Sequence, residues 1–192
     1  MAGIRLRPAS PDDVPALARL GKDSFVVKFG HLYRPEDLAA FLVEAYSPGA
    51  IETELAQPDR LYCLAEIEGG ATSEGRLLGY CKLALTCGFP EHARGLRTIE
   101  LKQLYTDPDC TGQGIGAVLM DWALAEARSR GSDEIQLSVW SGTHGAQRFY
   151  ARYGFAKVAD VHFWVGAHRD DEFLFSLLLQ PNSGDDSDTN SV

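Results

Sequence analysis

The segment that most restricts the fold runs from Thr98 to Trp140, TIELKQLYTDPDCTGQGIGAVLMDWALAEARSRGSDEIQLSVW. Its hydrophobic period changes twice. Ile99 to Thr106 is extended in character, and Asp107-Pro108-Asp109 ends it, because proline has no N–H to give a continuing ladder. Ile115, Val118, Leu119, Trp122 and Ala125 then fall on one face of a helix. Arg128 and Arg130 lie in its last turn, where the dipole favours cations, and Gly131 supplies the stop. Ile135, Leu137 and Val139 alternate as a second strand. The unit is strand, glycine-rich turn, helix, strand.

Between strand and helix lies Gly112-Gln113-Gly114-Ile115-Gly116. Glycines let a ligand approach the backbone, and the helix start offers free N–H groups and the positive end of its dipole. That combination suits an anion, a pyrophosphate above all; a tight turn with no ligand is the competing reading. No Gly-Lys-Ser/Thr follows, which removes the Walker loop. The dinucleotide fingerprint needs Gly-x-Gly-x-x-Gly, and Glu134 opens the next strand where a ribose-binding carboxylate belongs at its far end.

A chain of 192 residues, 45% hydrophobic, buries one good core, so a single domain is expected. The formal charge of −9 argues against duplex nucleic acid as a partner. It would suit a cationic substrate, and ordinary solubility accounts for it as well. Cys63, Cys81, Cys87 and Cys110 form no Cys-x-x-Cys pair; Cys63 and Cys81 sit in apolar, strand-like runs as small core residues. His31, His92, His144, His162 and His168 are scattered, so no metal site is expected. No apolar leader or membrane span is visible, and a cytoplasmic location is expected.

Before the central segment, Ile4 to Pro8 reads as a strand, and Ser10-Pro11 opens a helix with Val14, Leu17, Ala18, Phe25 and Phe29 inward, broken at Gly30. A second helix starts at Pro35 and a short one spans Ile51 to Gln57. Leu61 to Ile67 and Leu77 to Leu85 form a hairpin around a flexible Gly69 to Gly75 tip. Gly88 to Gly95 reads as a polar, mobile connection. After a helix around Tyr150, Ala156 to Val165 and Glu172 to Leu179 form a last hairpin around Gly166 to Asp171. The tail, residues 181–192, is too polar to pack and is expected to be disordered. The order is β-α-α-β-β-β-α-β-α-β-β. Strict alternation puts Glu100, Lys102, Leu104 and Thr106 on one face of the central strand.

The run Thr143-His144-Gly145-Ala146-Gln147-Arg148-Phe149-Tyr150-Ala151-Arg152-Tyr153-Gly154-Phe155 carries a resemblance. The GCN5-related N-acetyltransferases have Gln/Arg-x-x-Gly-x-Gly/Ala between a strand and a helix. One strand later they have Asn-x-x-Ala-x-x-Phe/Leu-Tyr-x-x-x-Gly-Phe. This chain resembles them at Gly114 and Gly116, then at Ala146, Phe149, Tyr150, Gly154 and Phe155. It departs at Thr111, where Arg or Gln is usual, and at Thr143, where Asn is usual. Glu100 to Tyr105, Val139-Trp140, Ala146 to Tyr150 and His162 to Gly166 also look like the bacterial spermidine/spermine branch.

The resemblance implies an α+β (mixed α/β) domain over residues 1–180, with a central mixed, largely antiparallel twisted sheet flanked by helices. It implies acetyl-CoA as cosubstrate, wedged between the central strand and the next. Leu104, Tyr105 and Thr106 would meet pantetheine, Thr111, Gly112, Gln113, Gly114, Ile115 and Gly116 the pyrophosphate, and Thr143 either. Arg148 and Arg152 are further phosphate candidates. Tyr150 would protonate the leaving thiolate; packing is its other reading. Glu100, fourteen residues before Gly114, matches the general base of histone-modifying relatives, or it pairs with Lys102. Tyr33, Glu36 and Asp37 would meet a polyamine's cations. The expected activity is acetylation of a small cationic amine such as a polyamine, and a homodimer is compatible with it. Acetylation of a peptide amine, and acyl-CoA binding without catalysis, are the alternatives.

Overall fold

The computed structural model describes residues 3–67 and 77–180. The expected Gly69 to Gly75 tip and the 181–192 tail lie outside the described residues. The strands are β1 (Ile4–Pro8), β2 (Arg60–Ile67), β3 (Gly79–Ala84), β4 (Thr98–Thr106), β5 (Glu134–Trp140), β6 (Ala156–Val165) and β7 (His168–Leu178). The helices are α1 (Val14–Phe29), α2 (Pro35–Tyr46), α3 (Pro48–Leu55), α4 (Ile115–Ser129) and α5 (His144–Arg152). Each predicted element is present, with ends displaced by a few residues.

One seven-stranded sheet runs β1-β2-β3-β4-β5-β7-β6. Every neighbouring pair is antiparallel except β4 and β5. Two apolar layers hold it. Ile115, Leu119, Met120 and Ala123 of α4 pack on Cys81, Leu101, Ile135 and Leu137, while Leu17 and Phe25 of α1 pack with Tyr46, Leu64 and Tyr80 on the other face. Cys63 and Cys81 are buried free thiols, as expected of core residues. Full burial of each large apolar side chain stabilises by about 1.5–3 kcal/mol, which is why α4 locks the sheet's centre. Among the described residues no helix is long and apolar enough to cross a membrane.

The β4–β5 pair is short. Thr98, Ile99 and Glu100 pair with Glu134, Ile135 and Gln136, and the pairing stops there. Beyond it β4 stays with β3 as far as Thr106, while β5 stays with β7 as far as Trp140. The sheet therefore parts in its middle, leaving one edge of Leu104, Tyr105 and Thr106 open.

Three expectations are corrected. The central strand does not alternate strictly: Lys82 pairs with Gln103 and Leu83 with Leu101, so Lys102 is a bulge. The extra residue reverses the face, which sets Leu104 with Leu101 toward α4 and Tyr105 in the layer of α1. The last hairpin is longer than predicted, because Val165 pairs directly with His168. A two-residue turn of Gly166 and Ala167, with Gly166 at φ +57°, closes it. The polar run His168 to Asp171 is ladder rather than loop.

The Gly88 to Gly95 connection is not free either. Glu134, fully buried, accepts from the N–H groups of Arg94 and Gly95 at 2.7 Å each, from the Thr98 hydroxyl at 2.8 Å and from Ser176. Burial pushes this carboxyl up, but those hydrogen bonds outweigh it and hold the pKa at about 2. The connection is a strap tied across the sheet.

Candidate active site

A cavity of about 360 Å³ opens where β4 and β5 part. Leu104, Thr143, Ala146 and Tyr150 line one side, and Glu100, Asp170 and Glu172 another. Aromatic rings close the rest: Phe25, Phe29 and Tyr33 from the first helical segment, Phe41, Trp140 and Phe163 from elsewhere. Phe25 stacks on Tyr33 with centroids 5.8 Å apart, and Phe29 meets Trp140 edge-on at 6.1 Å. Phe89, carried by the strap, also reaches the wall.

On the turn side, Gly112 and Gly114 have φ of +81° and +82°, the left-handed region that favours glycine. No atom lies within 4 Å of a Cβ built on either, so the backbone faces open space. Gly114 caps α4, and the first-turn N–H groups of Ile115 and Gly116 have no helical carbonyl to reach. This is an open anion cradle at a helix start. Gln113 lies exposed in the same turn. The Thr111 hydroxyl donates to Pro108 O at 3.0 Å. Thr106 O already accepts from Ser24 at 3.2 Å. Thr143 is the N-cap of α5 with no side-chain cap bond, and it reaches the cavity.

Tyr150 points into the cavity from α5, between Phe149 at 5.4 Å and Phe155 at 6.0 Å. Among the described residues its hydroxyl makes no hydrogen bond. Burial first, then Cys81 and Tyr105, push its pKa well above the ordinary phenol range. The group stays a proton donor at neutral pH. Glu100 is buried and held by Gly88 N–H at 3.0 Å and Lys102 Nζ at 3.0 Å, so the competing ion pair is present.

The structure brings Tyr33 to the cavity but not Glu36 or Asp37. Tyr33 donates to Asp170, while Asp37 accepts from Ala167 N–H at 3.1 Å and pairs with Arg34. Glu36 is on the surface beside Arg34. The Arg152 guanidinium lies over the Phe149 ring at 5.6 Å, and Arg148 is exposed. Sequence reasoning missed Asp170 and Glu172. The alternation Asp170, Glu172, Leu174, Ser176 was the available signal, hidden by assigning Asp170 to a loop. Among the described residues no group of three or more His, Cys, Asp or Glu could hold a metal ion.

The family model for the Acetyltransferase (GNAT) family matches residues 26–155. An uncharacterised N-acetyltransferase of Lactobacillus delbrueckii subsp. lactis is 25% identical over 179 residues, 93% of this chain and 99% of that protein. The spermidine N(1)-acetyltransferase of Thermoplasma acidophilum is 24% identical over 158 residues, 82% of this chain and 91% of the relative. The crystal structure of PaiA N-acetyltransferase from Thermoplasma acidophilum, in complex with coenzyme A, superposes with a TM-score of 0.71 at 20% identity. That match covers 92% of this chain and 99% of the other. The chain belongs to the GNAT family and is an N-acetyltransferase.

Proposed function

We propose that this enzyme moves the acetyl group of acetyl-CoA to a primary amine, and that the acceptor is a small cationic amine of the polyamine class. One observation carries the proposal: a single cavity joins the parted edge of β4, the Tyr150 hydroxyl and a wall of carboxylates and aromatic rings. The open glycine cradle fits a pyrophosphate, and the unpaired edge of Leu104 and Tyr105 fits an amide-bearing arm. Ile115 and Gly116 would hold the phosphates through backbone N–H, with Gln113 beside them and Thr111 contributing only its backbone. Bound acetyl-CoA supplies an activated thioester. Tyr150 would give its proton to the departing sulfur, as its raised pKa allows at neutral pH.

The polyamine class is supported by the Thermoplasma relative and by the cavity's chemistry. Aromatic faces attract ammonium groups and cover methylene chains. A second reading has its own observation. Lys28 and Lys102 line the same cavity, which favours an acceptor with one charge and an apolar body. Turnover with acetyl-CoA, read as free thiol, separates them. Spermidine and spermine should react well ahead of phenethylamine and short peptides. Faster reaction of phenethylamine establishes the second reading, and faster peptide acetylation rejects both. No thiol release with any of them removes the proposal.

A further inference from the structure

Three carboxylates face the cavity, and their partners separate them. Glu100 is occupied on two sides, by the Gly88 N–H and by Lys102. A Cβ on Gly88 would stand 2.5 Å from Glu100 Oε2, so strap and carboxylate are fitted together. Asp170 accepts from the Tyr33 hydroxyl and lies 3.3 Å from His168 Nε2. Glu172 has the Ser138 hydroxyl and, among the described residues, no cation at ion-pair distance. It sits opposite Trp140 on β5 and Val161 on β6, farther along β5 than Gln136, where the β4–β5 pairing stops.

We propose that Glu172 receives the acceptor's ammonium and takes its proton, and that Glu100 is a positioning residue which anchors the strap. This role rests on the acetyl-transfer reading above. The ammonium gives one proton to the Glu172 carboxylate, which passes it to solvent. The freed nitrogen lone pair forms the C–N bond at the acetyl carbonyl carbon. The C–S bond breaks with its electron pair on sulfur, and that sulfur takes the Tyr150 proton. The second proton lost from nitrogen restores the phenol. One ammonium and one thioester give one amide, one thiol and one proton.

The surroundings favour a base stronger than an ordinary glutamate. Burial raises the Glu172 pKa most; Asp170 and Glu100 raise it further, while Ser138 and Lys102 pull it down, and the balance is upward. Tyr33 and Tyr105 stay neutral phenols beside it, their own pKa values pushed up by burial. Lys28, Lys82, Tyr46, Tyr150 and His162 are the other charged and titratable groups that line the cavity. The working form is the carboxylate, so activity rises with pH through this raised pKa.

The test compares wild type, E172Q and E100Q on spermidine and phenethylamine, with CoA affinity measured alongside. Wild-type turnover establishes the reaction first; none with either amine sinks the parent reading and this role together. With turnover present, E172Q should lower kcat/KM for the amine by about 10²–10⁴, the range for one positioned base. CoA affinity should stay within about twofold. The low-pH limb set by Glu172 should give way in E172Q to a rise at higher pH, and should survive in E100Q. Activity of E172Q should recover as pH approaches the amine's own pKa, because the substrate then arrives unprotonated. Wild-type turnover in E172Q, loss of the low-pH limb in E100Q instead, or a fall in E172Q that tracks lost CoA affinity each overturns the assignment.

Discussion

The two sides of the cavity are built differently. The proposed cofactor side comes from one contiguous stretch, β4 through the glycine turn into α4, and offers mainly backbone: an unpaired strand edge and a helix start. The proposed acceptor side is assembled from α1, α2, β5, β6, β7 and the strap, and offers side chains. Tyr33 and Asp170 meet across 137 residues of sequence, and Arg94 and Glu134 across 40. A backbone site needs only glycines and a helix start, and tolerates drift elsewhere. A side-chain site needs distant residues held in register, so small changes there redirect specificity while the chemistry of acetyl transfer stays.

The largest effect should fall where the two sides meet. Tyr150→Phe keeps the ring between Phe149 and Phe155 and removes the proton donor. Turnover should drop by about 10²–10⁴, with CoA affinity nearly unchanged. Because the wild-type phenol's pKa is raised, the high-pH limb of its rate profile should lie above pH ~10, the ordinary phenol range. A Phe variant with wild-type turnover under chemistry-limited conditions would make Tyr150 a packing residue and leave the acid role to water.

Glu134 tests whether the strap is structural. Gln in its place keeps one accepting oxygen and turns an N–H₂ toward donors. Leaving buried donors unsatisfied costs about 1–3 kcal/mol, and each kcal/mol lowers Tm by about 2–4 °C in a domain this size. The sign with pH follows from the depressed pKa. The carboxylate's contribution is fully present above about 4.5 and is lost as pH falls through about 2. Thermal melts should therefore differ most near neutrality and converge toward pH 2. A gap that widens in acid would contradict the clamp.

Gly114→Val probes the cofactor side alone. A β-branched residue at φ +82° is strained by about 1–2 kcal/mol. If the turn relaxes away from its binding conformation, CoA affinity falls about five- to thirtyfold by calorimetry. The amine's relative preference should not change. An altered order of amine substrates would show that the two sides are coupled through the turn.

The same division decides how much the sequence discloses. Strand, turn, α4 and β5 were legible because periodicity and glycine placement are local. The open cradle at Gly112 and Gly114 follows from the same signal. The bulge at Lys102 was not legible, since nothing in ELKQLYT marks one extra residue; it exists because β3 pairs with both ends of the strand at once. Strict alternation accordingly misplaced Leu104. The strap was read as mobile because its own residues are polar. Its order comes from Glu134 and Glu100, carboxylates on other segments, with Asp133 holding Leu96 and Arg97 just past its end. Glu172 was invisible for a related reason: its freedom from a cation partner is a property of its neighbours.

The smallest effect should come from the latch between the first helical segment and the last hairpin. Tyr33 donates to Asp170, and Asp37 accepts from Ala167 N–H, so hydrogen bonds join the α1–α2 corner to the last hairpin, beside the ring contacts of Tyr33 with His168 and Phe41 with Phe163. Tyr33→Phe removes one and keeps the ring stacked on Phe25. Asp170 retains His168 at 3.3 Å, so it is not left bare. The lost hydrogen bond to a charged partner is worth about 1.5–3 kcal/mol at most. KM for the amine should rise about three- to tenfold, equivalent to about 0.6–1.4 kcal/mol, with kcat and CoA affinity little changed. Tyr33→Phe with weaker CoA binding would mean that the corner shapes both sides of the cavity, and the backbone side would then not be independent of the side-chain side.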